Sequence, residues 1–327
     1  MFSRRGIAAV IGLAAGALLA AGCTTSTSSA LPPACTGDSV PPQPGVQTVQ
    51  IDVDGQSRSY RPSIPSLVSS TTRSPALLVF NGPEVGQSEM DEFTRVSAKA
   101  LDRGFVVIQP EPASGAWAIP GVPGADDVRF VESILYDIGR RVCVAPDGLY
   151  ATGFDNGAGF AMWLTCALPR FAGVAPVSGV NLVRPCDGPP LSVVAFHDND
   201  DALVPFAPPP GFDEEVAGYY LGDVLEDMSQ WAERSKCDAD YTLEQLSGTA
   251  VQLTWPGCAG DTRVTLYSVT GIGHNWPGAS FPLSGAAAVQ GDPGLAELGG
   301  IVTDVVPEGV VDATALLLDV FAGDENA

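Results

Sequence analysis

Three short segments of this chain hold the side chains that could do chemistry. Residues 153–157 read GFDNG, so a carboxylate, Asp155, stands between two glycines. Residues 197–201 read HDNDD, and residues 271–278 read GIGHNWPG and contain His274. A histidine between two carboxylates can move protons, because one acid orients the ring while the other side faces a reacting group. The spacing therefore predicts one site assembled from three loops.

Each segment follows a short apolar run typical of a buried strand, at 148–152, 191–196 and 263–269. Apolar positions at helical spacing occupy the stretches between such runs, for example at 126–141 and 158–167. Strands that alternate with helices predict a mainly parallel sheet with helices on both faces. Ligands bind such sheets at the carboxyl ends of the strands, which is where all three segments lie.

The other elements complete this alternation. We predict an opening hairpin at 46–53 and 57–62, strands at 76–80, 105–109 and 173–177, and helices at 89–103, 223–234 and 312–321. The hairpin turns at Asp54 and Gly55, a pair typical of tight turns. Asp312 is a suitable N-cap for the last helix.

Residues 153–157 have the form of the nucleophile elbow G-x-S-x-G, with aspartate in place of serine. The glycines suit a strained turn in which neighbouring side chains would clash with the adjacent strand and helix. The order along the chain, elbow then acid then histidine, is that of α/β-hydrolases. We therefore predict an α/β-hydrolase fold, with a mainly parallel, doubly wound sheet.

The chain resembles the extracellular polyhydroxybutyrate depolymerase and feruloyl esterase family over residues 49–321. The segments that carry the resemblance are 126–130, 142–179, 195–206, 231–258 and 266–278. The resemblance implies hydrolysis of carboxylic esters, of polyhydroxyalkanoate or feruloyl type, in small or polymeric ligands and without a cofactor. It makes His274 the general base and Asp201 its acid, with Asp198 and Asp200 as alternatives. It places a serine nucleophile where Asp155 stands.

Two departures from the family put serine-type ester hydrolysis in doubt. Attack by the carboxylate of Asp155 on an ester would form an acid anhydride and expel an alkoxide, which is energetically poor. The loop expected to help bind the oxyanion, together with Asn156, reads Asn81-Gly82-Pro83. Proline has no N–H to donate, and a missing oxyanion donor costs about 100-fold or more in rate.

Three functions remain open at this point: an ester hydrolase of the family, a non-catalytic binding protein on the same fold, and a hydrolase in which Asp155 is the nucleophile. Dehalogenases and epoxide hydrolases of this fold displace at saturated carbon with a carboxylate. Tyr219 and Tyr220 are the candidate proton donors for such chemistry. Trp117 and Trp276 are expected to line the cleft.

The N-terminus predicts export and a lipid anchor. Arg4 and Arg5 precede an apolar stretch at 7–21, and small residues precede Cys23. We predict a lipoprotein signal peptide at 1–22, lipidation of Cys23, a Ser/Thr/Pro-rich tether at 23–45 and a single domain at 46–327. The product would be a cell-envelope lipoprotein that contacts the membrane through the lipid on Cys23 or, if the segment is an ordinary secretory signal cleaved nearby, an extracellular protein.

Composition and charge narrow the remaining choices. A net charge of −22 repels nucleic acid, so no nucleic-acid partner is expected. Cysteines other than Cys23 are even in number, which suggests disulfides in an exported protein, and we predict the pair Cys237–Cys258. With two histidines and no paired CxxC, the sequence predicts no metal site. An oligomeric state does not follow from the sequence.

Overall fold

One mixed sheet runs through the part of the chain that the computed structural model describes, residues 43–66, 68, 72–83, 85–121, 124, 126–279 and 311–323. The strands are β1 (Gly45–Val46), β2 (Val49–Val53), β3 (Gln56–Ile64), β4 (Ser74–Phe80), β5 (Val106–Pro110), β6 (Val144–Phe154), β7 (Gly173–Val177), β8 (Ser192–Asp198), β9 (Thr242–Ser247), β10 (Ala250–Trp255) and β11 (Val264–Val269). The helices are α1 (Gln87–Thr94), α2 (Val96–Asp102), α3 (Asp127–Gly139), α4 (Asn156–Ala167), α5 (Glu214–Ala217), α6 (Val224–Arg234) and α7 (Ala313–Phe321).

The strand order is β1-β3-β5-β4-β6-β7-β8-β11-β10-β9, with β2 paired to β3. The central strands β5, β4, β6, β7, β8 and β11 pair in parallel. Strands at both ends of the sheet pair antiparallel. The predicted α/β-hydrolase architecture is confirmed. The parallel core brings the carboxyl ends of β4, β6, β8 and β11 to the same edge.

Alternation along β4 shows why helices cover both faces of this sheet. Ala76, Leu78 and Phe80 pack into one apolar core together with residues of α3, α4 and α6. The intervening Leu77 and Val79 pack into a second core together with residues of α1, α2 and α7. Successive side chains of a strand point to opposite faces, so an uninterrupted apolar run requires two cores.

The prediction of one helix at 89–103 is wrong in one respect, because the structure has two helices, α1 and α2, in this stretch. Arg95 takes a left-handed conformation (φ 53°, ψ 25°) between α1 and α2. Side chains close to the break make it possible: Thr94 Oγ1 accepts a hydrogen bond from Val96 N, and Asp91 Oδ1 accepts one from Ser97 N. These polar side chains satisfy donors at the start of α2, so the chain can bend without losing hydrogen bonds.

The hairpin of β9 and β10 was not predicted. Every residue of β9 before its last is exposed, so the strand has no apolar face for a pattern to reveal. Its register with β10 also shifts between Ala250 and Val251. The hairpin lies at the end of the sheet, beyond β11.

The predicted disulfide Cys237–Cys258 is confirmed, and Cys166–Cys186 is a second one. Cys143 is also disulfide-bonded. Among the described residues, no helix is long and apolar enough to span a bilayer. The predicted signal peptide, Cys23 and most of the tether lie outside the described residues.

The turn from β6 into α4 is built on backbone contacts that leave no room for side chains. A Cβ on Gly153 would lie 2.3 Å from the carbonyl oxygen of Gly157. A Cβ on Gly157 would lie 2.4 Å from the carbonyl oxygens of both Phe80 and Asn81. The two glycines therefore allow α4 to start directly against the ends of β4 and β6.

We predict that Gly157→Ala lowers the free energy of unfolding by about 1–3 kcal/mol, because the new methyl group must displace backbone rather than a mobile side chain. Urea denaturation measures the change. Gly248→Ala is the matched control: no atom lies within 4 Å of the added carbon there. Equal stability of the two variants would contradict the close packing at this turn.

Candidate active site

Asp155 occupies the turn between β6 and α4 in a strained backbone conformation. Its φ of 54° and ψ of −126° lie outside the regions that side-chain-bearing residues prefer. Backbone contacts hold it there: Asp155 N donates to Val177 O at 3.0 Å, and its carbonyl accepts from Ala158 N and Gly159 N. The carboxylate stands at the carboxyl edge of the sheet with 26% of its side chain exposed.

His274 lies on the loop that follows β11, and Asp198 at the end of β8 fixes that loop. Asp198 Oδ2 accepts hydrogen bonds from the backbone N–H groups of Ile272 at 2.7 Å and Gly273 at 3.0 Å. Asp198 therefore uses its carboxylate to position the loop rather than to contact the histidine. Asp200, the third candidate acid, is an exposed residue.

Of the three candidate acids, Asp201 is the one that contacts His274. Its Oδ2 accepts a 2.7 Å hydrogen bond from Nδ1 of His274, while Oδ1 accepts from the backbone of Leu203 and Val204 at 2.9 Å each. Burial raises the pKa of Asp201, but these hydrogen bonds and the charge of His274 outweigh it, so the net pKa lies below the usual value. Asp201 is a buried, ionised acceptor.

The second nitrogen of His274 faces the first carboxylate, since Nε2 lies 3.2 Å from Asp155 Oδ2. This approach is close enough for an ion pair but is not aligned as a hydrogen bond, and Nε2 is buried without another acceptor. Burial by itself would lower the pKa of His274. The contacts with Asp155 and Asp201 raise it by more than burial lowers it, so the pKa is about 9. At neutral pH the ring is therefore an imidazolium between two carboxylates.

The second histidine, His197, lies behind this arrangement and does not reach Asp155. It is buried, its Nε2 donates to Val204 O at 2.8 Å, and the same atom is 3.8 Å from Asp201 Oδ2. Burial lowers its pKa, so His197 is neutral where His274 is charged. It supports the loop that carries Asp201.

The predicted oxyanion loop lies against Asp155 at Gly82, but the side chain of Asn81 is already engaged. A Cβ on Gly82 would lie 3.3 Å from Cβ of Asp155, so the loop of Asn81 and Gly82 runs against the elbow. Asn81 Nδ2 donates to Val85 O at 2.5 Å, and its Oδ1 accepts from Gln87. Pro83 follows, half-buried.

Asn156 uses its side chain structurally as well. Its Oδ1 accepts from Trp117 N at 2.6 Å, and its Nδ2 donates to Trp117 O at 3.0 Å. The group of Asn156 suited to an oxyanion is therefore its backbone N–H. Asn156 is the first residue of α4, where N–H groups have no partner within the helix.

The expectation that Trp117 and Trp276 line the cleft is wrong, because both side chains are buried, at 0% and 2% exposure. Trp117 stacks on Phe160 and donates its indole N–H to Asn81 O. Trp276 donates its indole N–H to Thr314 Oγ1. Both tryptophans lie on loops rich in glycine and proline, and the sequence does not indicate that these loops fold inward and bury the indole rings.

Tyr219 and Tyr220 are not brought to Asp155. Both line a cavity of about 700 Å³ whose walls come from residues 120–121, 163, 183–186, 214–215 and 218–220. The hydroxyl of Tyr220 donates to Asp227 Oδ1 at 2.7 Å. The structure therefore does not support their predicted role as proton donors at Asp155.

Comparisons with known proteins agree with this architecture. Feruloyl esterase B of Piromyces equi is 24% identical over 64% of this chain, and the match spans 41% of that enzyme's length. A protein of Nocardia uniformis subsp. tsuyamanensis named "Putative esterase NocK" is 26% identical over 71% of this chain and 74% of its own length. The acetyl xylan esterase of Aspergillus awamori superposes with a TM-score of 0.51 at 14% identity, over 74% of this chain and 97% of that one. No family model matches.

These findings confirm the predicted resemblance to feruloyl esterases, since the homologues of this chain are feruloyl esterases and a protein named as an esterase. The superposition supports the α/β-hydrolase fold and by itself says nothing about activity. The matched parts of the Piromyces relative cover less than half of that protein.

We predict that the imidazole of His274 titrates near pH 9. Because this pKa is raised above that of the unfolded chain, near 6.5, its stabilisation is complete below about pH 6.5 and is lost as pH rises through about 9. Nuclear magnetic resonance of the two histidines, with urea unfolding on both sides of pH 9, measures both effects. Asp155→Asn should lower the His274 pKa by about one pH unit or more.

The control for this prediction is Asp200→Asn, which removes the same charge from an exposed neighbouring residue. It should leave the titration of His274 nearly unchanged, because exposed charges are strongly screened. Titration of His274 near 6.5 in the native protein would refute the ion pair with Asp155.

Proposed function

We propose that this homologue of feruloyl esterases is an exported lipoprotein that binds carboxylic-ester ligands, of feruloyl or polyhydroxyalkanoate type, and hydrolyses them weakly or not at all. The observation that carries the proposal is the residue type at the centre of the nucleophile elbow. The strained turn, the histidine and its acid are assembled as an α/β-hydrolase requires, and the residue at the point of attack is Asp155.

Two physical reasons oppose serine-type turnover at this site. An acyl group transferred to Asp155 would form an anhydride, a product far less stable than the ester it came from. In addition, a general base must be unprotonated to act, and at neutral pH His274 already carries a proton on each nitrogen because a carboxylate faces each one. Binding of the ligand is unaffected by either objection.

The homology supports an ester as the ligand. Feruloyl esterases and an esterase-named protein are the relatives of the chain, and the elbow, Asp201 and His274 converge as in a hydrolase of carboxylic esters. A purely non-catalytic binding protein is the limiting case of the same proposal, in which ester is bound and released unchanged.

Replacing Asp155 with serine tests the proposal directly. We expect the native protein to hydrolyse short-chain p-nitrophenyl esters slowly or not at all, and Asp155→Ser to be faster by about 100-fold or more. The serine hydroxyl supplies a nucleophile, and removal of the carboxylate lowers the pKa of His274 so that it can act as a base.

Asp200→Ser makes the same chemical change on an exposed residue of the loop that carries Asp201, and it should leave the native rate unaltered. A native protein that hydrolyses these esters rapidly, with a rate that Asp155→Ala preserves, would sink the proposal. In that case the nucleophile lies elsewhere and the elbow assignment is incorrect.

Attachment to the membrane is a separate part of the proposal. Arg4 and Arg5, the apolar stretch at 7–21 and the small residues before Cys23 support a lipoprotein signal. The disulfides Cys166–Cys186 and Cys237–Cys258 fit an oxidising compartment outside the cytoplasm.

We expect the full chain, expressed in a bacterial host, to enter the membrane fraction and to incorporate radiolabelled palmitate. Cys23→Ser should abolish the label and move the exported protein to the soluble fraction, since the acyl chains supply the membrane affinity. Cys23→Ser protein that stays membrane-bound and labelled would contradict lipidation at this residue.

A further inference from the structure

The carboxylate of Asp155 is suited to a different electrophile from an ester carbonyl. Attack at a saturated carbon gives an alkyl ester, which is stable enough to form and reactive enough to be hydrolysed afterwards. Asp155 is partly exposed, with 26% of its side chain accessible, and is held by the strained turn at the sheet edge. A carboxylate in this position is a nucleophile that needs no base to activate it.

The proton on Nε2 of His274 decides which leaving group the site can serve. Nε2 is buried, lies 3.2 Å from Asp155 Oδ2 and has no aligned acceptor. Its partner on the other side, Asp201, holds Nδ1 at 2.7 Å and so keeps the ring oriented. The resting site therefore combines a nucleophile with an adjacent N–H donor whose nearest acceptor is the nucleophile itself.

We propose that this site opens epoxides, with Asp155 as the nucleophile and the imidazolium of His274 as the donor of the proton that the ring oxygen takes up. The inference uses the same residues as the proposed function but does not depend on ester hydrolysis. It requires no tyrosine donor, which agrees with the position of Tyr220 against Asp227.

The first step forms a bond between an oxygen of Asp155 and an epoxide carbon. The ring C–O bond breaks, its electron pair stays on the ring oxygen, and that oxygen takes the proton from Nε2 of His274. The products are a hydroxyalkyl ester on Asp155 and a neutral histidine. Since the ester carries no charge, one of the two contacts that raised the pKa of His274 is lost, and the contact with Asp201 remains.

Water completes the reaction in the second step. Neutral His274 takes a proton from water, the oxygen of that water attacks the ester carbonyl of Asp155, and the N–H of Asn156 is suited to stabilise the resulting oxyanion. Collapse breaks the bond to the alkyl oxygen, which takes the proton back from His274. The carboxylic acid so formed returns its proton to His274, and the sum is epoxide plus water giving a diol.

An alkyl halide fits the resting site less well. Halide leaves without a proton, so His274 remains protonated after the first step and must first release its proton to solvent before it can activate water. An epoxide consumes that proton as it opens. One histidine then acts as an acid and next as a base, without any exchange with solvent between the steps.

The test uses the mature protein with styrene oxide in heavy-oxygen water, under single-turnover conditions. We expect the diol to form and the heavy oxygen to appear in the peptide that contains Asp155, because water attacks the ester carbonyl. Asp155→Ala should form neither diol nor labelled peptide, whereas Asp200→Ala should behave as the native protein does.

His274→Gln separates the two roles of the histidine. Opening of styrene oxide should slow by about 100-fold or more, since the proton donor is gone. A primary alkyl bromide, which needs no proton to leave, should still alkylate Asp155, and the ester should persist because no base activates water. Mass spectrometry of the peptide detects this adduct.

Two results would overturn the inference. One is heavy oxygen in the diol rather than in the protein after the first turnover, which means that water attacks the epoxide directly. The other is the absence of both diol and adduct in a preparation whose Asp155→Ser variant hydrolyses esters. That variant shows that the site is folded and accessible, so failure of the epoxide test is distinct from failure of the proposed function.

Discussion

The approach of α4 to the ends of β4 and β6 is the contact on which the site depends. At Gly153 and Gly157 the backbones come so close that a single methyl group has no space. This proximity forces the residue between them, Asp155, into a conformation that L-residues avoid, and it leaves the carboxylate at the edge of the sheet. Two apolar cores, one on each face, hold the sheet between its helices.

Electrostatics then decides what the assembled groups can do. A histidine that contacts one carboxylate can act first as a base and then as an acid. His274 has a carboxylate near each ring nitrogen, so it is protonated at neutral pH and can act first only as an acid. Relatives named as feruloyl esterases share the scaffold, yet the chemistry of a scaffold follows the side chains placed on it. In this chain the carboxylate of Asp155 adds a negative charge to the site and raises the pKa of His274.

The sequence predicted the parts of the site that follow from backbone geometry. Glycines around Asp155, apolar strands before each loop and the order of the three segments all reflect local requirements, and the structure brings Asp155, His274 and Asp201 together. The choice among the three aspartates needed coordinates, because Asp198 and Asp201 differ only in which neighbour each faces.

Other features could not be predicted from the sequence because they depend on tertiary contacts. The break at Arg95 interrupts an otherwise helical pattern and is stabilised by side-chain hydrogen bonds. Trp117 is buried against Phe160, and Asn156, distant in sequence, binds both the N–H and the carbonyl of its backbone. The strand β9 has no buried face and joins the sheet only by pairing with β10.

The two hydrogen bonds from Ile272 and Gly273 to Asp198 have a mechanical consequence. They fasten the loop of His274 to β8, the strand whose following loop carries Asp201, so the pairing of His274 with Asp201 is anchored on one strand. A protein engineer who grafts this pair into another scaffold should therefore transfer Asp198 together with the loops of Asp201 and His274.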